Sequence, residues 1–169
     1  MIRNIIVAIG YWNRGIGLDN KLLWHLPPDM KKFKSLTIGK GNNAVLMGRK
    51  TMESLPKGYL PDRDNIVLSK TLNSDINDKT IIFNDIIEAD NFAEKQNYDE
   101  LWIIGGEQIY KSFLDYDNID NIYMTNIIDT LRADAYFPVL SNIYKETYRS
   151  DDLVYKGLPY FYQTLSRIK

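Results

Sequence analysis

At 169 residues, with 44% hydrophobic and 25% charged positions and a formal net charge of -1, the chain reads as a single globular domain large enough for a substantial core. No cysteine and one histidine exclude disulfides, thiol catalysis and any Cys/His zinc site. No basic run exceeds two residues, no apolar run reaches membrane-spanning length and no targeting signal is evident, so neither nucleic acid nor membrane is expected as a partner and a cytoplasmic location is the default.

In chain order, residues 5–9 predict a buried strand. Residues 10–25 predict a long loop with glycines at 10, 15 and 17, and connections of that length in compact domains usually carry function. Residues 27–36 predict a helix. Pro28 suits its first position, where the missing N–H costs nothing, and Asp29 falls in the first turn. Phe33 follows Asp29 on the same face, and Met30 and Phe33 are i,i+3 neighbours. Lys31-Lys32 reads as the wet face of this helix. A strand is expected at 43–47, a short helix at 49–55, and strands at 65–69 and 80–83. Asn84 is placed to cap a helix through Lys95. Residues 101–104 predict a strand, the stretch after Gly105-Gly106 a helix to Phe113, and 119–127 another strand. Residues 142–149 and 160–168 alternate as a terminal hairpin. Strands interleaved with helices predict an α/β layer fold with a mostly parallel sheet, and the β-rich last third predicts an antiparallel edge.

Two strand-to-helix turns suit phosphates. In Met47-Gly48-Arg49-Lys50-Thr51 the glycine admits a ligand close to the backbone, the helix start offers unpaired N–H groups, and Arg49, Lys50 and Thr51 add two charges and a hydroxyl. The Walker spacing is absent, which disfavours a phosphotransferase. In Ile104-Gly105-Gly106-Glu107-Gln108 adjacent glycines again open a helix, without the GxGxxG fingerprint. Arg63 precedes one strand, and Ser69-Lys70 closes it. Asp29 beside Phe33, with Trp24 just ahead, can hold a flat polar heterocycle by edge and face. The plain alternative is a first-turn acid that only complements the helix dipole. His25 reads as a structural loop residue, since no nucleophile elbow accompanies it.

The order of these segments resembles dihydrofolate reductase over nearly the whole chain. The match runs through Ile6-Val7-Ala8, Gly15-Ile16-Gly17, Trp24-His25-Leu26-Pro27, Asp29 with Phe33, Met47-Gly48-Arg49-Lys50-Thr51, Leu60-Pro61 with Arg63, Ile104-Gly105-Gly106, Tyr110, Thr125 and Phe137-Pro138. The resemblance implies one domain over residues 1–169, in three layers with helices on both faces of the sheet, and a monomer without metal. It implies reduction of 7,8-dihydrofolate to tetrahydrofolate with NADPH. Asp29, supported by Thr125 and with Trp24 nearby, would serve the chemistry and bind the pterin edge. Ile6, Val7, Lys34, Ile104 and Tyr110 would belong to the substrate site, with Phe33 and Leu55 along the pterin and benzoyl rings and Arg63 on the glutamate carboxylate. Ala8, Ile16 and Tyr110 would flank the nicotinamide of the cofactor, and Gly17 and Leu22 would also bind the cofactor. Gly48, Arg49, Lys50 and Thr51 would meet its phosphates. Ser69 and Lys70 would lie near the adenosine 2′-phosphate, Gly105, Gly106 and Gln108 would approach the pyrophosphate, and Leu68, Ile104, Glu107 and Ile109 would also bind the cofactor. The paired glycines would share a cis bond, and residues 10–23 would form a mobile lid. Three departures stand out: Leu23 in place of proline, a lid one residue longer around Tyr11-Trp12-Asn13, and the acid Glu107 after the paired glycines.

Overall fold

The structure, a computed structural model, describes residues 1–72 and 78–169. In its first half lie β1 (Ile2–Gly10), β2 (Gly15–Leu18), β3 (Lys21–Leu22), α1 (Pro27–Ile38), β4 (Asn43–Gly48), α2 (Arg49–Ser54), β5 (Asp64–Leu68) and β6 (Thr80–Phe83). Then follow α3 (Ile86–Lys95), β7 (Glu100–Ile103), α4 (Glu107–Asp115), β8 (Asn121–Ile127), β9 (Ala135–Tyr136), β10 (Tyr144–Arg149), β11 (Leu153–Tyr155) and β12 (Leu158–Arg167).

Strand β4 shows why the fold has three layers. Successive side chains point to opposite faces, and Ala44, Val45, Leu46 and Met47 are all fully buried. Ala44 and Leu46 join one apolar layer, which α3 and α4 cover with Ala89, Ala93, Tyr110 and Phe113. Val45 and Met47 join the other, covered by Leu36 of α1 and Met52 of α2. Among the described residues the main sheet has nine strands in the order β10-β12-β8-β1-β7-β4-β5-β6, with β11 also paired to β12. Strands β8, β1, β7, β4, β5 and β6 run parallel, while β12 is antiparallel to β8, β10 and β11. The expected α/β class, mixed sheet and antiparallel C-terminal edge are all present.

The differences are local. The long loop at 10–25 contains β2 and β3, which pair with β9 in a second, three-stranded sheet. Its partner strand lies more than a hundred residues away in sequence, beyond the reach of a local pattern. Helix α1 runs two residues past the expected Leu36 and stops at Gly39, whose φ of 55° suits glycine. The cap of α3 is Asp85, whose carboxylate accepts from the Ile87 and Glu88 N–H groups, and not Asn84. Ser69 and Ile104 lie just outside their strands, and β8 begins at Asn121 rather than at residue 119. The C-terminal hairpin turns at Lys156-Gly157 between β11 and β12, so β10 reaches the far half of β12 across a longer connection.

The sheet splits where it matters. Strands β1 and β7 pair only as far as Ile5 and Ile103. Beyond that point the β7 chain follows β4: the Ile104 N–H donates to the Leu46 carbonyl, and the Gly48 N–H to the Gly105 carbonyl, both at 2.9 Å. Strand β1 stays with β8 as far as Gly10 and Ile127. A crevice therefore opens at the carboxyl ends of the central parallel strands.

Candidate active site

Asp29 sits in the first turn of α1, after a start built from Leu26, Pro27 and Pro28. The Asp29 and Met30 N–H groups both donate to the Leu26 carbonyl, at 2.9 and 3.0 Å. This turn aims the Asp29 carboxylate at β8, where the Thr125 hydroxyl donates to its Oδ1 at 2.5 Å. Ile6, Phe33 and Leu36 supply apolar walls to the same cleft. Burial pushes the Asp29 carboxyl above its ordinary value, while the Thr125 hydrogen bond and the charge of Lys32 pull the other way.

Lys32 and Tyr162 are among the residues of this cleft that escape sequence reading. Lys32 is partly buried, with its ammonium 3.4 Å from the centroid of the Tyr162 ring. The expectation of a wet Lys31-Lys32 face holds for Lys31 alone. The signal that could have found Lys32 is its i,i+3 spacing from Asp29. Tyr162 comes from β12, and no local pattern links it to α1.

Other expected residues fall where the cleft can use them, with exceptions. The side chain of Val7 is buried in the layer covered by α3 and α4, with Ile5 and Ile9, and is turned away from the cleft. Lys34 is exposed and stands outside the cleft lining. Leu55 packs with Met52, Leu36 and Ile6 on the cleft side of the sheet. Arg63 donates to the Thr37 hydroxyl at 2.9 Å and to the Pro61 carbonyl at 2.8 Å, which fixes its guanidinium against the last turn of α1. Trp24 donates to the Asp129 carboxylate at 3.1 Å and packs with Leu26 and Ala8, beside rather than on Asp29.

The two glycine turns converge. Gly48 and Gly106 are the N-caps of α2 and α4, and neither helix start is capped by a side chain. The Gly105–Gly106 bond is cis. Gly105 has a φ of 125°, and a Cβ there would stand 3.3 Å from the Tyr110 hydroxyl. Among the described residues, the only atom near a Cβ at Gly106 would be the Thr51 hydroxyl, at 3.8 Å. Open backbone and uncapped N–H groups side by side fit the phosphates of a dinucleotide. Tyr110 closes the sheet's split from below: its hydroxyl donates to the Ile6 carbonyl at 2.8 Å, just past the last β1–β7 pair. Burial pushes this phenol far above its ordinary value.

The remaining cofactor-side residues differ in exposure. Ile109 packs over Gly48. Lys50, Lys70 and Gln108 are exposed, and Arg49 pairs with Glu53 one turn along α2. Leu68 is partly buried, and the Ser69 hydroxyl accepts from the Leu72 N–H in the turn after β5. On the lid, Ile16 is buried, Gly17 pairs with Leu22 and Ala135, and Leu22 is 77% exposed. The lid is tied down by Arg14, which donates to the Phe137 and Pro138 carbonyls. Glu107 accepts from the Tyr136 N–H at 3.1 Å, so its charge is engaged by β9 at the foot of the small sheet. Leu23 lies against Gly15.

A crevice above the carboxyl ends of parallel strands, bounded by helix starts, is where open α/β-sheet enzymes take their ligands, and the chain is of that class. The family model described as dihydrofolate reductase matches residues 2–167. The chain is 40% identical over 168 residues to the dihydrofolate reductase of Buchnera aphidicola, covering 97% of this chain and 98% of that one. It is 40% identical over 142 residues to the dihydrofolate reductase of Haemophilus influenzae, covering 83% and 81%. Against the bifunctional dihydrofolate reductase-thymidylate synthase of Daucus carota it is 34% identical over 177 residues, covering 97% of this chain and 34% of that protein. The chain spans about a third of such bifunctional relatives and nearly all of the Buchnera one. It belongs to the dihydrofolate reductase family, oxidoreductases of folate metabolism that reduce dihydrofolate with a nicotinamide cofactor. None of the described helices is long and apolar enough to cross a membrane.

Proposed function

We propose that this cleft reduces 7,8-dihydrofolate to 5,6,7,8-tetrahydrofolate with NADPH, by hydride addition at pterin C6 and protonation of N5. The observation that carries the reading is Asp29. It is a partly buried carboxylate with one oxygen held by Thr125, facing a cleft walled by Phe33 and Ile6. A carboxylate so fixed accepts two parallel N–H bonds from the 2-amino group and N3–H of a pterin, a charge-assisted pair with strong geometric selectivity. Phe33 and Leu55 pack the rings, Arg63 takes the glutamate carboxylate, and the carbonyls of Ile6 and Ile104 border the pterin's other edge.

NADPH, when bound, supplies the hydride. The chain's part is to hold donor and acceptor together and to manage the proton. The uncapped starts of α2 and α4 and the open backbone at Gly105 and Gly106 receive the pyrophosphate, and Lys70 receives the 2′-phosphate. Ala8, Ile16 and Tyr110 flank the nicotinamide. Asp29 touches the ring edge remote from N5, so it fixes orientation and electronic state while water delivers the proton. The enzyme is read as a cytosolic monomer, where both reactants are diffusible small molecules.

The test is NADPH oxidation dependent on dihydrofolate and blocked by a diaminopyrimidine antifolate. Antifolate binding without turnover would instead mark a non-catalytic folate-binding module.

A further inference from the structure

A lysine side chain is long enough to reach water from most positions on a helix face. Lys32 uses that freedom only in part. Its ammonium lies 3.4 Å from the centroid of the Tyr162 ring, inside the cleft that Asp29 also lines. Attraction to the ring face holds the cation there. Asp29 and Lys32 are i,i+3 on α1, so they share a helix face. They interact without closing a direct ion pair: among the described residues, Asp29 has no cation within 4.0 Å. The tyrosine ring and the apolar side chain of Leu36 replace part of the water around them, and a field acts more strongly through such surroundings.

We propose that Lys32 is a positioning residue for dihydrofolate reduction: held over Tyr162, its ammonium sets the charge state of Asp29 and with it the pH range in which the cleft turns over. This rests on the reading of Asp29 as the pterin anchor. Reduction consumes a proton along with the hydride, so the rate falls on the alkaline side as the Asp29–pterin pair loses its proton, at an apparent value belonging to the pair.

The groups that face Asp29 leave this role to Lys32. From β8 come the Thr125 hydroxyl, a donor, and the Tyr123 phenol; from β12 comes the Tyr162 phenol, with Tyr160 edge-on to it at 5.7 Å. Strand β1 contributes the uncharged Ile6. Burial pushes the Tyr123 and Tyr162 phenols up, which keeps them neutral through the working range. His25 and Lys31 are exposed. The influence is mutual, since burial lowers the Lys32 ammonium while the Asp29 charge raises it.

Three variants test this: Lys32→Met removes the charge, Lys32→Arg keeps it, and Lys31→Met removes the exposed neighbour. Two readouts are taken, the pH dependence of kcat/KM for dihydrofolate and the carbon-13 NMR titration of the Asp29 carboxyl in the ligand-free protein, assigned by its loss in Asp29→Asn. Lys32→Met is expected to move both upward by about one pH unit, the size typical of a lost neighbouring charge. Lys32→Arg and Lys31→Met are expected to stay with the wild type. A Lys32→Met protein that titrates as the wild type does, or an equal shift in Lys31→Met, overturns the proposal. Failure of the wild type to reduce dihydrofolate would refute the pterin reading instead, and the carboxyl titration would still decide whether Lys32 sets the charge of Asp29.

Discussion

Replacing Tyr110 by phenylalanine isolates the hydrogen bond from the cofactor-side helix to the substrate-side strand. The hydroxyl donates to the Ile6 carbonyl at 2.8 Å, and the Tyr110 side chain is 4% exposed. Past Ile5 and Ile103 strand β7 no longer pairs with β1, so the phenol stands where a ladder partner would be. Phenylalanine keeps the ring against Phe137, at 5.2 Å between centroids, and against Gly105. Only the hydrogen bond is lost, and a part-buried carbonyl is left without it. Such an orphaned acceptor costs about 1–3 kcal/mol. For a chain of this size each kcal/mol moves Tm by roughly 2–4 °C, so a loss near 2 kcal/mol lowers Tm by about 4–8 °C. Thermal and urea unfolding followed by circular dichroism, with an unchanged urea m-value, measure it. A Tm within about one degree of wild type would refute the argument, because the Ile6 carbonyl would then have another partner in the variant.

Three further outcomes follow from the site. Asp29 titrates above its ordinary 3.8 because of burial, so the native state keeps a proton over a window where the unfolded chain has lost it. Stability contributed by this group therefore falls as pH rises from about the ordinary carboxylate value through the raised folded value. Asp29→Asn should melt above wild type at neutral pH, and the gain should shrink in buffer acidic enough to protonate Asp29; a gain independent of pH would contradict the sign. Arg63→Ala should raise KM for dihydrofolate about tenfold, or roughly 1.4 kcal/mol, with a smaller change for pterins lacking the glutamate. Equal effects on both substrates would remove the carboxylate assignment. Lys70→Ala should lower the kcat/KM preference for NADPH over NADH by about tenfold, and an unchanged ratio would place the 2′-phosphate elsewhere.

What the sequence discloses about this fold is what local periodicity can carry. Val45 and Met47 alternate with Ala44 and Leu46, and that pattern alone calls for a sheet covered on both faces. The first turn of α1 was legible because its prolines and Asp29 obey helix-start chemistry, although Pro27 and not Pro28 takes the first position. Residues paired across long sequence gaps were not. Strand β2 finds its partner at Ala135 and Tyr136, and Tyr162 reaches Lys32 from the other end of the chain. Neither residue type is unusual where it stands, and only the fold brings each to its partner. Val7 shows the converse limit. A matched motif names a position, but strand alternation decides whether its side chain faces the cleft. Glu107, an odd acid beside a phosphate path in the sequence, proves to hold the Tyr136 N–H.

Everything proposed for the cleft turns on the Asp29 carboxylate, and steady-state NADPH oxidation by wild type and Asp29→Asn with dihydrofolate at neutral pH tests it most directly. The wild type should turn over, and the variant should lose about a hundredfold or more in kcat, the scale of a lost proton-managing group, with its Kd for NADPH within about twofold of wild type. Undiminished turnover in Asp29→Asn would contradict the assignment outright.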